Sequence, residues 1–371
     1  MNTIQLGKIV LSVISAVFVC LSSAFAAGAK EKVLLDADMV ESFDDGVAMI
    51  MLANAPGIDL VGVTTVSGNS WAAGGVAHAV KQLEIEGKTS VPVAMGFAYP
   101  LRPGRHAGIA VERQLYGRNR DVWIGAFGEE KTESWLAEYT KLYGGAPTMK
   151  PDTRHAVDFL IDTVRANPGD VTLAAVGPCT NLAVAVRKAP DIIPLIKRVV
   201  YMGGAFYRQG NVTPTAEFNW WFDPEAAKIA LRTPFKEQII VGLDVCEKVA
   251  FRKPQYDRLA HTLGKSAQAA LLRSSFAGQM FAKDPDCTLF IWDVIVAAFL
   301  IEPSVVTQEV TAFVDVNDQY GLSYGQSIAY PEQGPEGSRK ARIIMDVDQE
   351  KLWNMINDKR YWKSAQLKPP K

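Results

Sequence analysis

Acidic side chains are concentrated just after the first predicted strand. Asp36 and Asp38 follow a short apolar run at residues 32–35, and Asp44 and Asp45 begin the next helical stretch. Taken singly, an aspartate at a strand end is more often a turn or helix-cap residue than a ligand. Crowded together in a cleft, however, unpaired carboxylates repel one another, and a cation is the natural compensation. Because the candidate donors are oxygens, the cluster favours Ca²⁺ or Mg²⁺ over zinc.

Further polar residues follow the later predicted strands. Ligands of an open α/β sheet bind at the carboxyl ends of its strands, so we expect these side chains to converge with the acids. Asp293 joins them from the start of a late apolar helix. The other candidates are Asn69 after the second strand, Thr180 and Asn181 after a middle strand, and Asn211, Glu217 and Asn219 in a polar segment after the next.

Strand and helix patterns alternate over most of the chain. Apolar and β-branched runs predict strands at residues 32–35, 60–66, 91–95, 171–176, 198–202 and 238–243. Helical spacing predicts helices at 44–55 and 72–86, the second with Ser70 as its cap, and Asp223-Pro224 begins another. This alternation predicts an α/β fold with an open, mostly parallel, Rossmann-like sheet and helices on both faces. Segments 97–150 and 203–222 break the alternation and are predicted to be long functional loops.

Composition excludes several classes of protein. The 371 residues are 48% hydrophobic and 21% charged, which is incompatible with a disordered chain or a small disulfide scaffold. Lysine and arginine number 39 against 40 acids, and the net charge of −1 predicts no nucleic-acid partner. Cys179, Cys246 and Cys287 have no C-x-x-C spacing and predict no zinc site. We expect one catalytic domain over residues 31–362, followed by a tail at 363–371.

The N-terminus has the pattern of a secretory signal. Lys8 precedes an apolar run at residues 9–25, and Ala24-Phe25-Ala26 places small residues where a signal peptidase reads. Residues 1–26 are therefore predicted to be removed, leaving a secreted or periplasmic protein with no stable membrane anchor. A membrane span is the alternative, but the run is short and interrupted by serines.

The ordered motifs resemble the inosine-uridine-type nucleoside hydrolases from Val33 to about Trp353. The anchors of the resemblance are Asp36-Ala37-Asp38, Asp44-Asp45, residues 64–69, Thr180-Asn181, Met202-Gly203-Gly204, Glu217-Phe218-Asn219, residues 223–227 and Asp293. The resemblance implies the open α/β nucleoside hydrolase fold, a tightly held Ca²⁺, and a homodimer or homotetramer. It also implies hydrolysis of the N-glycosidic bond of ribonucleosides to free base and ribose.

Carried over position by position, the resemblance implies individual roles. Asp38 is similar to the Ca²⁺-bound aspartate that takes a proton from the attacking water. Asp45 resembles the bidentate Ca²⁺ ligand, Asp293 is similar to a further ligand, and Val176 stands where a main-chain carbonyl binds the ion. The ribose contacts implied are Asp44, Asn69, Met202, Asn211, Glu217 and Asn219.

Elementary chemistry supports these roles. Ca²⁺ takes about six to eight oxygens, which Asp38, bidentate Asp45, Asp293 and the Val176 carbonyl would supply together with water and ribose hydroxyls. A cation lowers the pKa of its bound water, and a carboxylate within reach can remove the proton. Cleavage of the glycosidic bond builds positive charge on the ribose, which surrounding carboxylates stabilise.

Two features depart from the best-known members of the family. Two additional residues separate Asp38 from Asp44, so we expect a rearranged loop that still delivers both acids. Trp292 precedes Asp293, where nonspecific and pyrimidine-preferring members tend to have histidine, and purine-preferring members resemble this sequence. Tryptophan cannot usefully donate a proton to a leaving base, but it can stack on a purine.

Base stacking on an aromatic ring is worth about 1–3 kcal/mol in single-strand binding. A second ring would complete a sandwich around the base, and Trp123 in the 97–150 segment is the predicted partner, with Tyr116 as the alternative. The sequence thus predicts purine nucleosides as the preferred substrates.

Three other functions remain open at this stage. Residues 33–40 also fit the strand and D-x-D signature of haloacid-dehalogenase-type phosphatases, in which Asp36 would be the nucleophile and Mg²⁺ the cofactor. A periplasmic ribonucleoside-binding protein without catalysis would use the same hydroxyl contacts. A hydrolase of pyrimidine nucleosides or another N-riboside keeps the chemistry and changes the base.

Overall fold

The structure is a computed structural model that describes residues 29–116 and 123–366. Within these residues a nine-stranded sheet is the centre of the fold, and a two-stranded sheet lies apart from it. The strands are β1 (Glu31–Ala37), β2 (Ile58–Thr65), β3 (Val93–Met95), β4 (Val171–Ala175), β5 (Ile196–Met202), β6 (Gln238–Val241), β7 (Ala250–Phe251), β8 (Leu289–Phe290), β9 (Val306–Val316), β10 (Ser327–Tyr330) and β11 (Arg339–Val347).

Helices connect most of these strands. They are α1 (Asp45–Asn54), α2 (Ala72–Ile85), α3 (Arg105–Tyr116), α4 (Trp135–Tyr143), α5 (Ala156–Ala166), α6 (Thr180–Lys188), α7 (Phe218–Phe222), α8 (Pro224–Arg232), α9 (Leu243–Cys246), α10 (Lys253–Leu263), α11 (Ala267–Ser274), α12 (Phe276–Lys283), α13 (Asp293–Ile301) and α14 (Gln349–Ile356). Among the described residues no helix is both long and apolar enough to cross a membrane.

The order of the large sheet is β10-β9-β11-β6-β5-β4-β1-β2-β3. The strands from β11 to β3 run parallel, and β9 and β10 add an antiparallel edge. The chain runs outward from β1 through β2 and β3 and then returns to the other side of β1 with β4. This reversal creates a topological switch point between β1 and β4, where α/β proteins place their ligand sites.

Both faces of the sheet are covered, as the alternating side chains of β1 show. Val33 and Leu35 pack into one apolar cluster, which includes α1 and α13. Leu34 points the other way, into a second cluster that includes α5, α6 and α8. Because successive side chains of a strand face opposite sides, a strand buried on both faces reads as a continuous apolar run. The predicted α/β class with a mostly parallel sheet is confirmed.

Three local expectations were wrong. Segment 97–150 contains α3 and α4, and segment 203–222 ends in α7, so neither is a pure loop. Ser70 does not cap α2, because its hydroxyl donates to the Met39 carbonyl oxygen at 2.8 Å. Ser67 accepts the first amide of the helix instead, at 2.9 Å from Ala72 N.

Candidate active site

Asp38 is fully buried at the carboxyl end of β1. Its Oδ2 accepts a hydrogen bond from Asn69 N at 2.6 Å, whereas its Oδ1 has no hydrogen-bond partner. Main chain encloses the carboxylate on two sides: a Cβ at Gly68 would overlap Oδ2, and one at Gly177 would lie 2.9 Å from Oδ1. Burial and the nearby charges of Glu217 and Asp44 raise the pKa of Asp38 to about 7, although two backbone N–H groups oppose the rise.

Asp45 and Asp293 are the first residues of α1 and α13, two helices that pack against each other. Both are buried, and no N–H group or hydroxyl donates to either carboxylate oxygen of Asp45, which interacts directly with the Asp293 carboxyl. A helix N-terminus favours a negative charge, but two such acids side by side repel each other. Burial, followed by the charges of neighbouring aspartates, raises the pKa of both groups well above the ordinary value.

Asp44 is delivered to the same place by the loop that joins β1 to α1. Its backbone φ of 51° is the one positive value at a non-glycine position within the described residues. The Oδ1 atom accepts hydrogen bonds from Trp292 N and Asp293 N, both at 2.9 Å, so Asp44 binds the start of α13. Burial raises the pKa of Asp44 to about 7 against these bonds. The expected rearranged loop therefore does bring Asp38 and Asp44 to one site.

The short helix α7 supplies the opposite wall. Glu217, its N-cap, accepts Asn219 N at 2.7 Å, Gly204 N at 2.9 Å and Trp220 N at 3.1 Å. Burial nonetheless raises the pKa of Glu217 to about 7. Asn211 lies beside this helix, since its Oδ1 accepts Phe218 N at 2.9 Å.

Asn219 links α7 to the ends of two strands. Its Nδ2 donates to the main-chain oxygens of Val176 at 2.8 Å and Met202 at 3.1 Å, and its buried Oδ1 has no partner. The carbonyl of Val176 therefore faces Asn219 and keeps a second lone pair. Its role as a main-chain ligand, which the resemblance implies, stays a prediction.

Two tryptophans belong to the surroundings of the acids. Trp292 is half-buried, its Nε1 is buried without a partner, and the Phe43 ring meets it edge-on at 6.3 Å between centroids. Trp123 is 53% exposed, and its Nε1 donates to Asn69 Oδ1 at 3.0 Å. Asn69 in turn donates its N–H to Asp38, so Trp123 is connected to Asp38 through Asn69. The side chain of Tyr116, the alternative second ring, lies outside the described residues.

The donor set is suited to a cation. In the part of the chain that the structure describes, no lysine or arginine forms an ion pair with Asp38, Asp45 or Asp293. No group of three or more His, Cys, Asp or Glu side chains in that part is placed to hold a metal ion as it stands. At this site the unpaired buried oxygens are Asp38 Oδ1, both of Asp45 and Asn219 Oδ1. Buried oxygens without hydrogen-bond donors are costly unless a cation satisfies them, so these residues fit a hard, oxygen-preferring ion.

Asp36, in contrast, is a structural brace. It is 3% exposed, and its Oδ1 accepts the Thr64 hydroxyl at 2.7 Å and Asn181 Nδ2 at 2.8 Å. Burial raises the pKa of Asp36 to about 6. Sequence reasoning assigned it no role in the hydrolase. Its partners are Thr64, within β2, and Asn181, in α6 after β4, and the D-x-D spacing alone could not show these contacts. A carboxylate held in this way is poorly placed for the nucleophilic attack that the phosphatase alternative requires.

Comparison with known proteins gives a consistent result. Residues 33–354 match the family described as inosine-uridine preferring nucleoside hydrolase. The pyrimidine-specific ribonucleoside hydrolase RihB of Escherichia coli O9:H4 (strain HS) is 31% identical over 345 residues, which cover 89% of this chain and 96% of that protein.

Solved structures share the fold. The plant nucleoside hydrolase PpNRh1 aligns with a TM-score of 0.71 and 26% identity, over 89% of this chain and 98% of that one. The purine-preferring ribonucleoside hydrolase from Gardnerella vaginalis aligns with a TM-score of 0.70 over 91% of this chain and 100% of that one. At 22% identity, this second likeness concerns the fold alone.

Proposed function

This chain belongs to the inosine-uridine preferring nucleoside hydrolase family, and we propose that it hydrolyses purine ribonucleosides to free base and ribose with the help of Ca²⁺. The observation that carries the proposal is the buried set of unpaired carboxylate oxygens at the β1–β4 switch point, bordered by Trp292.

The family binds a metal ion. In this chain Asp38, Asp45, Asp293 and the Val176 carbonyl would hold it, and the two unpaired oxygens of Asp45 suit a bidentate ligand. An all-oxygen set favours Ca²⁺. When bound, the ion lowers the pKa of a water molecule that it coordinates.

Asp38 is the general base of the proposal. Asn69 N uses only one lone pair of Oδ2, and Oδ1 has no donor, so the carboxylate keeps lone pairs both for the ion and for the proton of the attacking water. The water oxygen forms a bond to the anomeric carbon of the ribose as the bond to the base nitrogen breaks, and the electron pair leaves with the base.

The ribose is held by residues on two sides of the cluster. Asp44 uses Oδ1 for the start of α13, which leaves Oδ2 for a hydroxyl. Asn219 and Glu217 approach from α7, and the further contacts proposed are Asn69, Met202 and Asn211. The carboxylates also stabilise the positive charge that develops on the sugar ring.

Trp292 supports the choice of purines. It lies directly before Asp293 and therefore beside the sugar site, and its indole offers a large flat surface for a purine ring. Trp123 is proposed as the second ring, because its bond to Asn69 fixes one edge of the indole near Asp38. Pyrimidine nucleosides are the second candidate, which the name of the 31% identical relative favours.

One assay tests these assignments together. The protein without residues 1–26 is incubated with inosine, adenosine, guanosine, uridine and p-nitrophenyl phosphate, with and without a calcium chelator. Free base, ribose and phosphate are then quantified. We expect purine release without added phosphate, lost on stringent ion removal. Uridine cleavage at an equal rate would remove the purine preference, and phosphate release alone would remove the hydrolase assignment.

Export and assembly are also part of the proposal. The signal at residues 1–26 lies outside the described residues, and it supports a secreted or periplasmic protein. N-terminal sequencing of the exported protein should begin at residue 27. The proposed oligomer, a homodimer or homotetramer, is measured by light scattering in solution.

A further inference from the structure

A buried ion pair lies behind the proposed ribose-binding helix. Arg105 and Glu112, both on α3, are 3% exposed. Arg105 Nη1 donates to Glu112 Oε1 at 2.6 Å, and Nη2 donates to Oε2 at 3.2 Å. Lone ion pairs add little stability when buried, because desolvation offsets their attraction. The role of this pair is therefore to be found in the residues that it contacts.

Both partners hold the same residue, Trp221 near the end of α7. Arg105 Nη2 donates to the Trp221 carbonyl oxygen at 3.0 Å, and the guanidinium lies 4.6 Å from the centre of its ring. Glu112 Oε2 accepts Trp221 Nε1 at 2.7 Å. The pair thus fixes the backbone and the ring of Trp221 simultaneously.

The helix needs such support because it is only five residues long. Helices much shorter than about 12 residues are not stable by themselves. Glu217 satisfies the N–H groups at the N-terminal end, and Arg105 satisfies a carbonyl at the C-terminal end, where a positive charge is favourable. Asn219 lies between the two, and its side chain reaches Val176 and Met202.

We propose that Arg105 and Glu112 are positioning residues that set the orientation of Asn219 and Glu217 for ribose binding. They touch no substrate, and they act through Trp221. The inference rests on the proposed function in one respect, namely that Asn219 and Glu217 contact the ribose.

The test compares substrates that differ in one hydroxyl. The kcat and KM values for inosine and its 2′-, 3′- and 5′-deoxy analogues are measured for the wild type, Asn219→Ala and Arg105→Met. Discrimination is the ratio of kcat/KM for inosine to kcat/KM for a deoxy analogue. We expect Asn219→Ala to lower this ratio for one analogue, and Arg105→Met to lower it for the same analogue by about tenfold, about the contribution of one hydrogen bond. The double variant should lose no more than Asn219→Ala alone, because both changes remove one interaction.

Arg198→Met is the matched control. Arg198 also forms a largely buried pair, with Glu31 at 2.6 Å. That pair lies near the N-terminal ends of β5 and β1, whereas the site lies at the carboxyl ends of the strands. This variant should lower the melting temperature and leave the discrimination ratios unchanged. Equal effects of Arg105→Met and Arg198→Met on all four substrates would overturn the proposal.

A milder variant and a second readout keep the test decisive. If Arg105→Met does not fold, Glu112→Gln, which keeps an acceptor for Trp221 Nε1, should show a smaller loss against the same analogue, and unchanged ratios would overturn the proposal.

If the wild type cleaves no nucleoside, the proposed function fails, and hydrogen–deuterium exchange then decides this inference alone. Faster exchange of residues 217–222 in the variant than in Arg198→Met supports it, and equal exchange overturns it.

Discussion

The two carboxylate oxygens of Asp38 have different surroundings, and the proposed role of Asp38 as general base depends on these surroundings. Oδ2 is bound by a main-chain N–H, and Oδ1 is buried and unpaired. Asp38→Ala should therefore lower kcat for inosine by about 10²- to 10⁴-fold, the contribution of a general base. Turnover is measured under saturating substrate, with circular dichroism to confirm folding.

Asp315→Asn is the control for Asp38→Ala. Asp315, on β9, is another buried aspartate, but it pairs with Arg232 of α8. Its loss should reduce stability and leave turnover within a small factor of wild type. If Asp38→Ala behaved in the same way, Asp38 would not be the base.

A substitution of Trp292 distinguishes stacking on the substrate base from packing against Phe43. Trp292→Ala should reduce kcat/KM for inosine by about 10- to 100-fold, the equivalent of one stacked base. The loss should be much smaller for p-nitrophenyl riboside, whose leaving group needs less help. A ring that served only to pack against Phe43 would affect both substrates equally.

At the scale of elements, the segment around the short 3-10 helix Gly125–Gly128 places Trp123 beside Asn69, the residue that binds Asp38. Ala126 N donates to the Gly68 carbonyl oxygen at 2.8 Å, and Gly68 is one of the two glycines whose main chain encloses the Asp38 carboxylate. Gly125 has a φ of 54°, and a Cβ there would overlap Gly68 O and lie 2.7 Å from the Phe218 ring. Only glycine fits this close approach.

Gly125→Ala should therefore displace the Trp123 segment and lower kcat/KM for inosine at least about tenfold. Gly87→Ala is matched to it, since Gly87 has a φ of 65° but nothing within 4 Å of the added Cβ. Both variants should lose about 1–2 kcal/mol to backbone strain, measured by chemical denaturation. Equal kinetics in the two variants would show that the docking of this segment is irrelevant to catalysis.

Sequence patterns predicted the strands and helices whose buried positions carry apolar residues. β1 and α1 are apolar on nearly every buried position, and the predicted ends differ from the observed ones by one or two residues. α3 was missed because its buried positions include Arg105 and Glu112, so its inward face reads as polar. The bond between Asp44 and the start of α13 spans 248 residues, and no local pattern encodes such a contact.

At the scale of the whole molecule, a nearly neutral chain places several buried acids together at the carboxyl ends of its parallel strands. The net charge is only −1, yet Asp38, Asp44 and Glu217 all have pKa values raised to about 7. In the unfolded chain these groups would release their protons near pH 4. Between these two values the folded protein binds more protons than the unfolded one. The free energy of unfolding of the ion-free protein therefore falls as pH rises from about 4 to about 7.

Under the proposed function we expect Ca²⁺ to reverse this loss, because it would bind the deprotonated carboxylates and only in the folded state. Thermal unfolding with chelator and with millimolar Ca²⁺ should thus show a small calcium-induced rise in melting temperature at pH 5 and a much larger one at pH 8. Asp45→Asn removes one charge from the cluster and should weaken the rise at pH 8 while stabilising the chelated protein there. An ion that binds this cluster must displace its protons, so its effect must depend on pH. A calcium effect independent of pH would therefore mean that the ion binds elsewhere.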